Sequence, residues 1–146
     1  MAWVSLDEYI INSLKANPLS TDAGGTGMNN MADAVVSQGT SGIWNYIKFA
    51  NGIAICSGIY TTSITASTAW GSWYYSTIFQ PSNFPFTFTG TPSISAFLTS
   101  TGIEGALLIN GSTTASAPPA MYIVRPNSIS SSSNISVGIT AIGRWK

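Results

Sequence analysis

The chain contains no histidine. That absence removes the general base of Ser-His-Asp and Cys-His nucleophile systems, and it removes imidazole from the available metal ligands. Cysteine occurs once, at Cys56, so no disulfide can close within the chain. In a strand-like setting this residue reads as a small buried hydrophobe, in keeping with assembly in a reducing cytosol. Charge is scarce as well: Asp, Glu, Lys and Arg make up 7 % of the 146 residues, against roughly 25 % in an ordinary domain. Between Phe49 and Ile103 there is no charged residue at all. Ser, Thr, Gly and Pro interrupt that stretch, so nothing in it approaches the ~20 successive apolar residues of a spanning helix. No membrane insertion is expected. Asp7 and Glu8 stand where a secretory signal would place a base and an apolar run, so no signal peptide is expected either.

Carboxylates are rarest where the chain is most structured. Residues 41–146 contain Glu104 as their one acid. Glycoside hydrolysis generally uses two carboxyl groups about 5–9.5 Å apart, and a calcium cage needs several. A carboxylate pair would have to come from another subunit or from residues 1–40, and a calcium cage from copies of Glu104 meeting around a three-fold axis. The expectation is a protein that is not an enzyme and takes no cofactor and no metal. Lys48, Arg125, Arg144 and Lys146 are dispersed, whereas nucleic-acid binding wants a dense basic stripe, so no nucleic acid is expected. The two halves differ in sign. Residues 1–40 carry four acids and one base, a net charge of −3, and residues 41–146 carry four bases and one acid, a net charge of +3. A positive region of that size still attracts an anionic, teichoic-acid-like polymer.

What fills the space left by charge is 45 % hydrophobic residues together with Ser, Thr, Gly and Asn. A monomer of that composition, with net charge zero, would struggle to stay in solution, and burying surface in a homo-oligomer resolves the difficulty. Residues 1–40 read as an arm. Ser5-Leu6-Asp7-Glu8 forms a capping box; Leu6, Tyr9, Ile10 and Leu14 follow at helical spacing; Asn17-Pro18 ends that helix. Gly24-Gly25-Thr26-Gly27 is a link without the strand or Gly-Lys-Ser/Thr of a phosphate loop. Met28, Met31, Ala32 and Val35 predict a second short helix, and residues 38–42 a hinge.

Residues 41–146 read as a head built on one hairpin. Two apolar runs flank Asn51-Gly52, which predicts a two-residue type I′ turn with Lys48 opposite Ile55 and Trp44 opposite Ile59. That register places Trp44, Tyr46, Lys48, Ile53, Ile55 and Ile59 on one face. Both faces come out mostly apolar, so the sheet is expected to be covered twice, once by its own domain and once by a partner. Alternation then predicts strands over Trp73–Gln80, Ser93–Thr99, Gly105–Asn110, Ala120–Val124 and Asn134–Trp145, with an irregular edge strand around Phe84, Phe86 and Phe88. Ser128–Asn134 reads as a flexible Ser-rich loop. The fold class expected is all-β, an antiparallel β-sandwich of jelly-roll-like type with a short helical N-terminal arm.

Several phrases carry a resemblance. Trp44-x-Tyr46-x-Lys48-Phe49-x-Asn51-Gly52-x-Ala54-x-Cys56 is followed by Ala69-Trp70-Gly71-Ser72-Trp73-Tyr74-Tyr75-Ser76, Phe84-Pro85-Phe86-Thr87-Phe88-Thr89, Tyr122-Ile123-Val124-Arg125-Pro126 and Ala141-Ile142-Gly143-Arg144-Trp145-Lys146. In that order they resemble the C-terminal head of bacteriophage or prophage tail fibres and tail appendages, over most of residues 41–146. Gly24-Gly25-Thr26-Gly27 resembles a fibre linker. The resemblance implies a homotrimer at the end of an upstream tail-fibre shaft, part of the virion tail and assembled in the bacterial cytoplasm. It also implies attachment to a host cell-surface polysaccharide. The alternative is a purely structural trimerising cap without receptor contact. Sugar sites need rings for the apolar sugar faces and amides or single charges for orientation. Trp70, Trp73, Tyr74 and Tyr75 offer rings, and Gln80, Asn83, Asn110 and Arg125 offer polar partners. The candidate ligand-binding set is Trp73, Tyr75, Asn83, Asn110 and Arg125. Position on an alternating strand makes Trp73 and Tyr75 core candidates as well.

Overall fold

The computed structural model describes residues 34–99 and 104–146. They form nine strands: β1 (Val35–Ser41), β2 (Trp44–Phe49), β3 (Ile53–Ala66), β4 (Thr68–Trp70), β5 (Trp73–Tyr75), β6 (Ser93–Leu98), β7 (Ala106–Asn110), β8 (Ala120–Arg125) and β9 (Ile129–Arg144). A five-stranded sheet has the order β1-β2-β3-β9-β6 and a four-stranded sheet the order β4-β5-β8-β7. Every pairing is antiparallel. The all-β expectation holds, and two sheets with a shared core fit a sandwich. The helices expected before residue 34 lie outside the described residues. Val35 and the expected hinge at 38–42 belong instead to β1 and its turn, because β1 finds backbone partners along β2, with Gln38 opposite Ile47.

The central hairpin differs from its expected register by one residue. Lys48 pairs with Ala54, Ile47 with Ile55 and Trp44 with Gly58. The cause lies in the turn. Gly52 alone has a positive φ, at 90°, and its N–H donates to the Phe49 carbonyl at 3.0 Å. Asn51 stays at negative φ, and its side-chain oxygen accepts from Ile53 N at 2.9 Å. The loop therefore has three residues, a type I turn closed by a glycine bulge. A one-residue slip moves a strand's side chains to the other face. Trp44, Tyr46 and Lys48 consequently share the inner face with Ala54 and Cys56, while Ile53, Ile55 and Ile59 point outward with Ile47.

The core lies between the sheets. Ala54, Cys56 and Ile64 from β3, with Ile135, Val137, Ile139 and Ala141 from β9, meet Met121 and Ile123 from β8. Trp44, Phe84 and Phe88 fill one end, with the Trp44 and Phe84 rings 5.3 Å apart and Phe84 edge-on to Phe88 at 5.3 Å. Trp44 Nε1 donates to the Asn83 carbonyl at 2.7 Å, which satisfies the one polar atom of the indole. Phe84–Phe88 is not a strand. Its amides at 84 and 88 donate to Ser116 and Ala115 carbonyls, and its rings plug the open end of the sandwich. At the same end Lys48 Nζ lies 4.2 Å from the Phe86 ring centre and 5.1 Å from that of Trp145.

The Ser-rich loop expected at Ser128–Asn134 is a strand. Residues from Ile129 onward pair with β3, and Asn134 stands opposite Ser63. Ser63 Oγ donates to Asn134 Oδ1, and the Thr61 and Ser136 hydroxyls are 3.0 Å apart. Cross-strand hydroxyl and amide pairs hold this part of the ladder, where no apolar alternation marks it.

An aromatic face on the four-stranded sheet as the candidate functional site

Alternation along the four-stranded sheet sends Ile123, Met121 and Leu107 into the core. It sends Tyr75, Tyr122, Val124, Ala106, Leu108 and Asn110 to the other face, where the register places Tyr75 opposite Val124 and Tyr122 opposite Leu108. The β4–β5 hairpin extends this face. Trp70 pairs with Trp73 across Gly71-Ser72, and Gly71 at φ 62° with Ser72 at negative φ makes a type II′ turn. That tight turn brings both indoles to the edge of the face. Trp70 is 59 % exposed and Trp73 47 %.

Ser76 fixes the segment that follows. Its N–H donates to the Ile123 carbonyl at 2.9 Å, its Oγ accepts from Ile123 N at 2.9 Å, and its hydroxyl donates to the Thr77 carbonyl at 2.8 Å. Phe79 then exchanges backbone hydrogen bonds with Met121. Held at both ends, the chain turns Ile78 outward beside the face.

The result is an open groove of about 340 Å³ lined by Trp70, Tyr75, Ile78, Asn110 and Tyr122. The rings of Tyr75 and Tyr122 meet edge-on, 6.3 Å between centres. A second groove, about 370 Å³, lies against Trp70, Trp73, Ala106, Leu108 and Val124. Trp70 stands between the two as a shared wall. No lining residue is charged. Such a surface can stack an apolar ring face on aromatic side chains and orient it with one amide and two phenol hydroxyls.

Of the five sequence candidates, Tyr75 and Asn110 line the first groove and Trp73 lines the second. Asn83 and Arg125 are not part of either. Asn83 sits in the loop over Trp44, where its carbonyl takes the indole proton. Arg125 lies opposite Tyr74, on the face that carries Ile123, so the pleat turns it away from the grooves. Gln80 is also engaged elsewhere, donating to the Pro118 carbonyl at 3.1 Å. Tyr122 and Ile78 were not anticipated. The alternation of Ala120, Tyr122 and Val124 against Met121 and Ile123 is the signal that could have placed Tyr122, whereas Ile78 depends on the Ser76 anchor.

The fold and this face define a two-sheet antiparallel β domain with an open aromatic face. No family model matches the chain, and no curated protein matches it. Among solved structures the chain is similar to a C-terminal piece of the P. aeruginosa R1 pyocin fibre, at 14 % identity and a TM-score of 0.45, covering 98 % of this chain and 38 % of that one. It is similar to the corresponding piece of the P. aeruginosa R2 pyocin fibre at 21 % identity and a TM-score of 0.33, covering 99 % and 37 %. The chain thus spans less than two fifths of either fibre fragment.

Proposed function

We propose that this chain is the head of a phage or prophage tail fibre and attaches the particle to a bacterial surface by binding a saccharide, without enzymatic action, as a homotrimer carried on the fibre shaft. The observation that carries the reading is the grouping of Trp70, Trp73, Tyr75 and Tyr122 with Asn110 on one solvent-facing surface. Contiguous exposed aromatic surface is unfavourable in water unless something covers it. Sugars suit it, since a pyranose offers C–H faces to rings and hydroxyls to amides. The groove is open and its volume is at the lower end of the ~300–1,000 Å³ usual for small-molecule sites, which matches one or two sugar units. Weak binding at each head gains strength when three heads engage a receptor-dense wall. The sequence resemblance to tail-fibre heads supports the same reading. The purely structural cap leaves the exposed indoles without a role.

The test is adsorption of the labelled full chain to a panel of bacterial cells, before and after extraction of their wall polysaccharides, with Trp70→Ala alongside. Adsorption that survives extraction, or is indifferent to Trp70→Ala in all adsorbing strains, would sink the saccharide assignment.

A further inference from the structure

The five-stranded sheet has an outer face of a different kind. Ile47, Ile55 and Ile142 stand in one row across β2, β3 and β9. Ile59 and Phe97 flank Gly138 four residues further along, and Ile53 stands at the opposite end beside Arg144. Ile59 is 60 % exposed and Phe97 57 %. Between the apolar rows runs a polar one, Asn45, Ser57, Thr140 and Ser95, each opposite the next. Gly138 has a reason to be glycine: a Cβ there would stand 2.7 Å from Phe97 Cζ, so the ring lies flat across the sheet. The only charge among these outward positions is Arg144, at the rim.

We infer that this face packs against second copies of the same chain, with three copies turning it toward a common axis. The inference rests on the oligomeric part of the function proposed above and adds to it the surface used. Aliphatic rows with an uncharged hydroxyl row between them suit a surface of the same composition, because no charge is left unpaired on burial. The dimensions agree. Five strands at ~4.8 Å spacing make a sheet about 24 Å wide, and three such sheets as sides of a prism stand about 7 Å from its axis. Sheets pack face to face at ~10 Å, so Ile and Phe side chains reach across that space. The projected face, about 700 Å² when the long β3–β9 ribbon is included, is near the ~800 Å² each partner contributes to a standard interface. The aromatic grooves lie on the opposite sheet and stay outside such a prism.

The test uses the full chain. Light scattering is expected to give three times the 15.3 kDa chain mass. Ile59→Glu combined with Phe97→Glu should bring this to one chain mass while far-UV circular dichroism keeps its β signature. Ile59→Cys and Ile109→Cys provide a second readout that needs no disruption. Ile109 is an exposed residue of the other sheet, and the native Cys56 is buried. In the assembly a maleimide dye is expected to label Ile59→Cys on the order of a hundredfold more slowly than Ile109→Cys, since labelling must await opening. A trimer in which Ile59→Cys labels as fast as Ile109→Cys overturns the face and leaves the oligomer standing. A monomer with fast labelling overturns both. A monomer with slow labelling overturns the inference too, assigning the face to another part of the same chain, such as residues 1–33.

Discussion

The outer faces of the two sheets are built from the same scarce-charge sequence, yet they present different chemistry. The four-stranded sheet shows Trp70, Trp73, Tyr75 and Tyr122 around open grooves. The five-stranded sheet shows Ile47, Ile53, Ile59, Phe97 and Ile142 in rows, with a depression of about 300 Å³ lined by Ser57, Ile59, Phe97 and Thr140 among others. Large flat rings with polar tips suit a small ligand that is itself half apolar. Branched aliphatics in rows suit another protein surface, where they interlock at core-like density. A lack of charge therefore does not define one kind of exposed face. Rings with polar tips around open grooves on one sheet, and branched chains in rows on the other, distinguish the two faces.

The largest test of this comparison reaches beneath both faces. Trp44→Ala removes an indole from the shared core and leaves the Asn83 carbonyl without its donor. It is expected to lower unfolding stability by about 3–5 kcal/mol in denaturant titration, and to abolish saccharide adsorption and self-association together. Loss of one property alone would mean that the two sheets do not share a cooperative core.

The inner side of the five-stranded sheet gives the next effect. Burial pushes the Cys56 thiol up from 9.0 to about 11. The folded state thus holds the proton more tightly than the unfolded one. The associated stability is fully present below pH 9 and is lost as pH rises from about 9 to 11. Against Cys56→Ala, the wild type should show an additional decline of about 2–3 kcal/mol across that window, measured by urea unfolding at successive pH values. Parallel curves for the two proteins would show that the thiol is not held in an apolar site.

Trp70→Ala sharpens the contrast directly. It removes the wall common to both grooves and is expected to weaken saccharide binding by about tenfold, near 1.4 kcal/mol, with oligomer mass unchanged. Titration calorimetry and light scattering on one sample would check both halves. The smallest effect belongs to the end of the sandwich. Lys48→Met withdraws an ammonium lying 4.2 Å from the Phe86 ring centre, and should cost about 0.5–1 kcal/mol of stability while leaving both outer faces as they were.

How much of this was legible in the sequence depends on how local each cause is. β6, β7 and β8 alternate plainly, and they stand where alternation put them. Trp73, Tyr75 and Asn110 were read as ligand residues and line the grooves of one face. The hairpin at Asn51-Gly52 was legible as a hairpin, but its register was not. Asn-Gly serves equally a two-residue turn and the end of a bulged three-residue one, and the surrounding ladder decides between them. The Ser-rich half of β9 carried no pattern because its partners, Thr61 and Ser63, lie some seventy residues away. The alternating Phe84, Phe86 and Phe88 suggested a strand, but a pentapeptide that fills the end of a sandwich with rings produces the same alternation. Asn83 and Arg125 have suitable chemistry only; the alternation of β8 carried one residue past Val124 puts Arg125 on the Ile123 face, whereas nothing local says which way Asn83 faces.

The place of β9 has a consequence for how the molecule comes into being. Among the described strands it is last in sequence, yet it is fourth of five in its sheet, between β3 and β6. Its far end pairs Arg144 with Ile53, and Trp145 donates its backbone N–H to Gly52 and its indole N–H to Phe49, 96 residues earlier for the latter. Until that strand has been synthesised, β3 and β6 have no common neighbour and their apolar side chains have no cover. The domain cannot close progressively along its length; closure waits for β9, through contacts of high sequence separation that are slow to find. Synthesis interrupted before β9 would accordingly leave an adhesive, protease-sensitive chain in place of a smaller folded domain. The arrival of β9 is itself the licence for closure.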